Sequence, residues 1–285
     1  MHSKDIGLEK WGGYELVCEK DITCLQHIDS VNLLLKDIIG ENVFQLRTDS
    51  ISDFGFNKDL VNHLIYSPYE AQIHSGKMMK ALQDYVVQLG VTVLRGYEVI
   101  EFVTNEKNAE IAVKNVYNGS LYTMQCTELV FANNAEIANF FTDCGIKPGR
   151  GQVLITHEIP ALAWKGIFHY DEGFYYFRNV NKRILFGGGR DLDFERECSY
   201  SFELNDDIQA DLEKKLREMI IPDLPFEIDM RWCGIMAFTE DKLPKIHISD
   251  NHVHYICTCN GMGVALASEV SEKASKKLLE ILELA

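Results

Sequence analysis

The chain has 285 residues, 46% of them hydrophobic and 25% charged, a make-up that fits a globular protein of one large domain or two interleaved ones. A formal charge of −15 with dispersed Lys and Arg argues against nucleic acid as a partner, and no apolar run reaches the roughly 18 residues needed to span a bilayer. The eight cysteines form no CxxC pair, and Met1-His2-Ser3-Lys4-Asp5 starts no apolar leader, so reduced core thiols in a cytoplasmic protein are expected.

Residues 20–40 read as a helix on the spacing of Leu25, Ile28, Leu33, Leu35 and Ile38, with Gly40 as the stop. A second helix runs from Ser75, a capping residue, to Leu89 ahead of Gly90. Val91-Thr92-Val93-Leu94 follows as a buried strand, which makes half of a βαβ crossover. Strands are expected at 97–103, 109–116 and 120–126, with Asn118-Gly119 as the hairpin turn between the last two. Leu129-Val130-Phe131-Ala132 is a further buried strand that stops at Asn133-Asn134, a residue type that tolerates left-handed backbone.

Residues 150–235 are rich in β signals, at Val153-Leu154-Ile155, 166–170, 174–177 and 183–187. A helix at about 205–219 ends before Pro222 and Pro225. His252 to Cys257 is the last strand, and Asn260-Gly261-Met262-Gly263 turns it into a final helix. The order α/β, then mostly β, then α/β again predicts one domain interrupted by another.

Three segments carry a resemblance: 129–135 with Pro148-Gly149-Arg150-Gly151-Gln152-Val153-Leu154; Arg183 to Asp191 with Gly187-Gly188-Gly189; and Arg231-Trp232-Cys233-Gly234-Ile235-Met236 with Asp241-Lys242-Leu243-Pro244 and Asn260-Gly261-Met262-Gly263-Val264-Ala265. In this order they resemble FAD-dependent oxidoreductases of the D-amino-acid-oxidase superfamily, such as glycine, sarcosine and gamma-glutamylputrescine oxidases. The resemblance implies an α/β (α+β) fold: an FAD-binding Rossmann-like domain interleaved with a substrate domain on a large mixed or antiparallel sheet. It divides the chain into a substrate-domain portion at 1–74, a part of the FAD-binding domain at 75–149, the substrate sheet at 150–238 and the C-terminal part of the FAD-binding domain at 239–285.

The resemblance also implies cofactor contacts at Val99, Ala132, Asn133, Asn260, Gly261, Met262, Gly263 and Val264. A glycine turn leading into a helix lets backbone approach a ligand closely and aims the helix's positive end at it. Against this, the G-x-G-x-x-G strand–turn–helix unit that holds the FAD pyrophosphate has no counterpart in the sequence, which makes the chain read as a truncated form. Weak or absent FAD binding by the isolated chain is therefore expected.

Substrate contacts are expected from Tyr175, Arg178, Arg231 and Met236, although Tyr175-Tyr176-Phe177 also suits plain sheet packing and both arginines are equally suited to pairing with carboxylates such as Asp171 and Glu172. The related amino-acid oxidases place an arginine near position 236 to grip the substrate carboxylate. Methionine makes no such bidentate bond, which moves the expectation toward amines. The histidines at 169, 247, 252 and 254 lack metal-ligand spacing. In the family a hydride leaves the carbon beside the amine nitrogen for flavin N5 and the imine then hydrolyses. No side-chain base is required when the amine binds neutral, and no catalytic acid or base is assigned. Two rival readings stand beside this one: a non-catalytic remnant, and a subunit that takes the missing nucleotide-binding unit from another chain.

Overall fold

The structure, a computed structural model, describes residues 5–257 and 260–284, so Thr258 and Cys259 of the strand-like Cys257-Thr258-Cys259 run lie outside the described residues. Two compact units emerge, each assembled from three stretches of chain. The first takes residues up to 91, 151–194 and 202–234, and the second takes 92–150, 195–201 and 235 onward.

The first unit is built on an eight-stranded sheet of β1 (Gly13–Val17), β2 (Gln45–Leu46), β3 (His63–Ser67), β8 (Lys147–Thr156), β9 (Ile167–Tyr170), β10 (Tyr175–Val180), β11 (Arg183–Gly188) and β12 (Ile228–Phe238). Their spatial order is β12-β8-β11-β10-β9-β1-β3-β2. Pairing is antiparallel from β8 through β11 and β10 to β9, antiparallel again between β1 and β3 and between β3 and β2, and parallel between β9 and β1. The sheet is thus the large mixed one expected for a substrate domain.

One sheet face is apolar. Leu16, Phe168, Tyr175, Phe177 and Phe186 pack there with Ile208 and Leu212 of α5 (Asp206–Lys215), and the Phe168 and Phe177 rings stack 4.9 Å apart. Asn205 caps α5 by accepting the Ile208 N–H, and the last turn, Leu216–Ile220, widens into a π-helix before the prolines. The predicted helix over 20–40 forms in two pieces, a 3-10 stretch at Glu19–His27 and then α1 (Ile28–Ile39), which ends at left-handed Gly40. One-turn helices form at α2 (Ile51–Phe54) and α4 (Phe194–Glu197), among other short 3-10 segments. α3 (Ser75–Gln88) falls in this unit, where its start is tied down by His74 N–H donating to the Ile6 carbonyl and by Lys77 pairing with Asp5 at 2.9 Å.

The second unit holds two three-stranded sheets and a long helix. β4 (Tyr97–Thr104), β5 (Ala109–Asn115) and β6 (Leu121–Cys126) form an antiparallel meander, with Asn118-Gly119 in the β5–β6 turn. β13 (Lys245–His247), β14 (Val253–Cys257) and β7 (Leu129–Phe131) form the other sheet, in which β14 and β7 run parallel. α6 (Gly263–Leu284) follows the turn after β14. Phe131, Ala135, Ile137, Ile146, Ala237 and Val253 make the core of this unit.

The expected strand at 91–94 does not form. These residues join no sheet and stand exposed, because no described strand offers them a partner. No helix among the described residues is long and apolar enough to cross a membrane.

Candidate functional site

In the second unit, three segments that are far apart in sequence converge. Asn260, at a φ of 58°, donates its backbone N–H to the Ala237 carbonyl at 2.6 Å, and its side chain bonds Thr239 twice, accepting from the N–H at 3.1 Å and donating to Oγ1 at 3.0 Å. Asn134, at a φ of 60°, donates Nδ2 to the Ile235 carbonyl at 2.9 Å. Of the Asn133-Asn134 pair expected to tolerate left-handed backbone, Asn134 adopts it and Asn133, at a φ of −95°, does not; Asn260 adopts it too, and its amide bonds Thr239 just past β12.

Gly261, at a φ of 74°, comes next, and a Cβ there would meet only the Met236 sulfur, at 3.9 Å. That leaves the outer side of the turn open. Met262 and Val264 are exposed, and the helix begins with Ala265 and Leu266 donating back to the Met262 carbonyl. The preceding N–H groups of α6 have no intrahelical acceptor, which makes the turn an electropositive cradle. Position 236 and the 260–264 turn are therefore neighbours, a proximity that no spacing in the sequence revealed. Ala132 and Asn133 are exposed at the end of β7, whereas Val99 packs against the core of the unit.

The first unit presents a second polar surface. Alternation along the strands puts Glu15, His169 and Tyr176 in one row with Gly187, and Arg178 in the next, on the face opposite the aromatic core. The Tyr176 hydroxyl lies over Gly187, 2.7 Å from where a Cβ would stand, so a larger residue at 187 would displace the ring. Glu70 reaches over the same face, 3.8 Å from the His169 Nδ1. Burial, followed by repulsion from Glu70, Asp21 and Asp171, pushes Glu15 up to about 7. Neither Glu15 nor Glu70 has a Lys or Arg partner among the described residues, so the face is rich in carboxylates that lack cations.

The placement of the expected substrate residues follows from this alternation. Tyr175 is 1% exposed, and its hydroxyl donates to Asp211 Oδ2 at 2.8 Å. Burial and that bond push its pKa far up, and its place is in the packed core. Its neighbour Tyr176, read from sequence as sheet packing, holds the polar face. Arg178 donates Nη1 to the Ile73 carbonyl at 2.8 Å, and burial lowers its pKa. Arg231 is taken by α5, bonding Gln209 Oε1 at 2.9 Å and Glu213 at 2.6 Å. Neither arginine pairs with Asp171, whose partner is Lys20. A cavity of about 630 Å3, lined by Cys18, Lys20, Asn62, Tyr170, Asp211 and Lys215, lies on the α5 side of the sheet, away from Tyr176.

Gly187-Gly188-Gly189 has a structural use. A Cβ on Gly188 would run into the Phe174 carbonyl, so close approach of β11 to the chain ahead of β10 requires glycine there. No helix of two or more turns follows the run, and it does not form a phosphate cradle.

A family model described as FAD dependent oxidoreductase matches residues 36–275. Among solved structures, L-proline dehydrogenase from P. horikoshii superposes with a TM-score of 0.77 at 16% identity, over 96% of this chain and 74% of that one. Iminodiacetate oxidase from Chelativorans sp. BNC1 gives 0.78 at 14% identity, over 98% and 74%. Glycine oxidase from Bacillus cereus ATCC 14579 gives 0.74 at 12% identity, over 94% and 73%. No curated protein matches the sequence. At these identities the structural likeness is one of fold.

Proposed function

Because the chain belongs to the family of FAD dependent oxidoreductases, we propose that it carries the substrate sheet and the flavin-ring portion of an enzyme that oxidises the C–N bond of an amine or amino acid. The observation that carries this reading is the convergence of Asn134, Met236 and the Asn260–Val264 turn at the start of α6. The open side of Gly261 and the free N–H groups of the helix start fit the edge of a flavin ring on which negative charge collects. The dinucleotide's phosphates are less well served. Among the described residues no strand leads directly through a glycine-rich turn into a helix of two or more turns other than at 260–263. The residues present thus fit the ring end of FAD and not its pyrophosphate.

When bound, the flavin supplies a hydride acceptor at N5 beside the substrate's C–N bond. The chain's own residues bind and orient the substrate. In this reading, within the first unit Tyr176 and the half-buried Arg178 offer polar groups to a substrate and Glu15 and Glu70 favour a cationic one; within the second, Met236 withholds the carboxylate grip of an arginine. Tyr175 and Arg231 support this surface from behind, Tyr175 through Asp211 and Arg231 through α5. The substrate class is therefore an amine ahead of a small D-amino acid. No side chain is assigned as catalytic acid or base.

The competing reading, a subunit that takes its nucleotide-binding unit from elsewhere, is favoured by the exposure of Val93, Leu94 and Val130. On either reading the isolated chain holds FAD weakly or not at all. The test is the visible spectrum of the purified chain after gel filtration with FAD, followed by turnover of amines and D-alanine in a form completed with a G-x-G-x-x-G unit. Stoichiometric flavin on the chain alone, or D-alanine outpacing every amine after completion, refutes the corresponding half of the proposal.

A further inference from the structure

We infer that the cavity on the α5 side of the first unit's sheet is a second binding site, for a small carboxylic acid that also carries an N–H or O–H donor. It is separate from the surface to which the proposed function assigns the substrate. Tyr170 and Tyr175, a cross-strand pair, turn to the α5 side of β9 and β10, whereas the next pair, His169 and Tyr176, turns to the polar face. At about 630 Å3 the cavity has the size of a small-molecule site.

Its walls are fastened to one another by Asn57. α5 runs into a π turn, closed by Ile221 donating its N–H to the Leu216 carbonyl at 2.9 Å, a geometry frequent at functional sites. The helix ends there, so its last carbonyls need outside donors. Asn57 donates Nδ2 to the Glu218 carbonyl at 2.8 Å and its N–H to that of Met219 at 2.9 Å. Leu60 and Val61 donate back to the Asn57 carbonyl. The loop that carries Asn62 is thereby fixed against the helix that carries Lys215, and the site is preorganised.

The lining selects the ligand. Asn62 Oδ1 is buried and accepts no hydrogen bond among the described residues, which is costly in a native fold. It calls for a donor. Lys215 gives one N–H to Asp211 Oδ1 at 2.9 Å, and an ammonium carries three. Its nitrogen lies 4.6 Å from the Tyr175 ring centre and 5.8 Å from that of Tyr170, and Lys20, at the mouth, lies 5.7 Å from the Tyr170 ring. Two ammonium groups beside one ring repel a third cation. The Asp211 oxygens already take Lys215 and the Tyr175 hydroxyl. Lys214 pairs with Glu218, while Glu19 and Asp59 stand exposed at the rim, where water and salt screen them. Burial pushes the Cys18 thiol up to about 11 and the Tyr170 hydroxyl up to about 12, so both stay neutral and the interior beside Lys215 is poorly hydrated. Lys20 and Lys215 each hold a carboxylate already, so a singly charged head suits them better than a phosphate dianion. Leu60 and Met219 offer apolar cover for the rest of the molecule.

The experiment titrates the full chain, without FAD, with L-lactate, propionate and glycine, and reads binding by calorimetry and amide hydrogen exchange. L-lactate should bind about fivefold more tightly than propionate, which has the same head and no donor. Asn62→Leu should bring the two acids to within about twofold, and Lys215→Gln should weaken L-lactate about tenfold. Exchange should slow at 57–62 and 215–219 and stay unchanged at 176–187. Glycine binding more tightly than L-lactate assigns an ammonium as the donor that meets Asn62, and the reverse order assigns a hydroxyl. Absence of saturable binding by all three probes means a water-filled void and overturns the site. Equal affinities for L-lactate and propionate overturn it too, in a comparison on the native chain that needs no variant to fold. Protection confined to 176–187 moves the ligand to the polar face and does the same. None of these outcomes depends on flavin, so the site and the proposed function fail separately.

Discussion

Glu197→Leu tests whether the second unit depends on one buried ion pair. Arg150 and Glu197 are 2% and 0% exposed, and Nη2 donates to Glu197 Oε1 at 2.8 Å. The same guanidinium donates to the Arg196 carbonyl at 2.9 Å and to the Ser201 carbonyl at 3.5 Å, so it pins the whole 195–201 segment to β8. Removing the carboxylate leaves a guanidinium out of water without its counter-charge, which costs about 3–5 kcal/mol. A domain holds only about 5–15 kcal/mol in total. With a urea slope of about 3 kcal/mol/M, the midpoint of unfolding should fall by about 1–1.7 M. The double variant Arg150→Met/Glu197→Leu removes both charges. It should recover much of the loss, though the carbonyls of Arg196 and Ser201 then lack their donor, at about 1–3 kcal/mol. Equilibrium urea unfolding followed by circular dichroism measures all three proteins. A shift below about 0.3 M for Glu197→Leu would show that water reaches the pair and that burial does not set its energy.

Met236→Arg should raise kcat/KM for carboxylate-bearing substrates by about 10- to 150-fold in a flavin-completed enzyme, the worth of about 1.5–3 kcal/mol for a charged hydrogen-bonded pair; unchanged selectivity in steady-state assays would remove position 236 from the substrate site. Tyr175→Phe should lose about 0.5–1.5 kcal/mol of stability with its Asp211 bond, while Tyr176→Phe should change stability by less than about 0.5 kcal/mol and weaken substrate binding severalfold; the reverse pattern in denaturation and KM would invert the two faces. The Glu128 bond raises the pKa of His252 above 6.5, whereas bonds from His254 and His252 hold Glu128 below 4.5 against the opposing effect of burial. The histidine's contribution to stability is full below 6.5 and lost as pH rises through its raised value, and the glutamate's is full above 4.5 and lost as pH falls through its lowered value. The melting temperature of the native chain should therefore exceed that of Glu128→Gln most between those two pH values, and an equal gap at alkaline pH would refute the linkage.

The β-hairpins were legible because their signals are local. Asn118-Gly119 demands a particular turn, and alternation over 174–177 and 183–187 sets a period of two. Left-handed Asn134 was legible for the same reason. Which face of β10 meets solvent was not, since Tyr175 and Tyr176 are chemically alike. The deciding contact, Asp211 on α5, lies 36 residues away. The partner of Arg231 was illegible for a related reason. A carboxylate was among the expected partners, but which one depends on the sheet, which delivers Arg231 to Gln209 and Glu213 of α5 and not to Asp171 or Glu172. The proximity of Met236 to Gly261 was not legible, because it depends on where β12 and the turn after β14 come to rest.

The stretch at 91–94 shows where local chemistry stops deciding structure. Its residues have the right propensity, and a helix and a glycine precede it as a crossover requires. Yet a strand is defined by hydrogen bonds to a neighbour, and its own residues supply only half of each. β7, with comparable residues, becomes a strand because β14 meets it. Val93 and Leu94 stay 40% and 54% exposed because nothing among the described residues does the same for them.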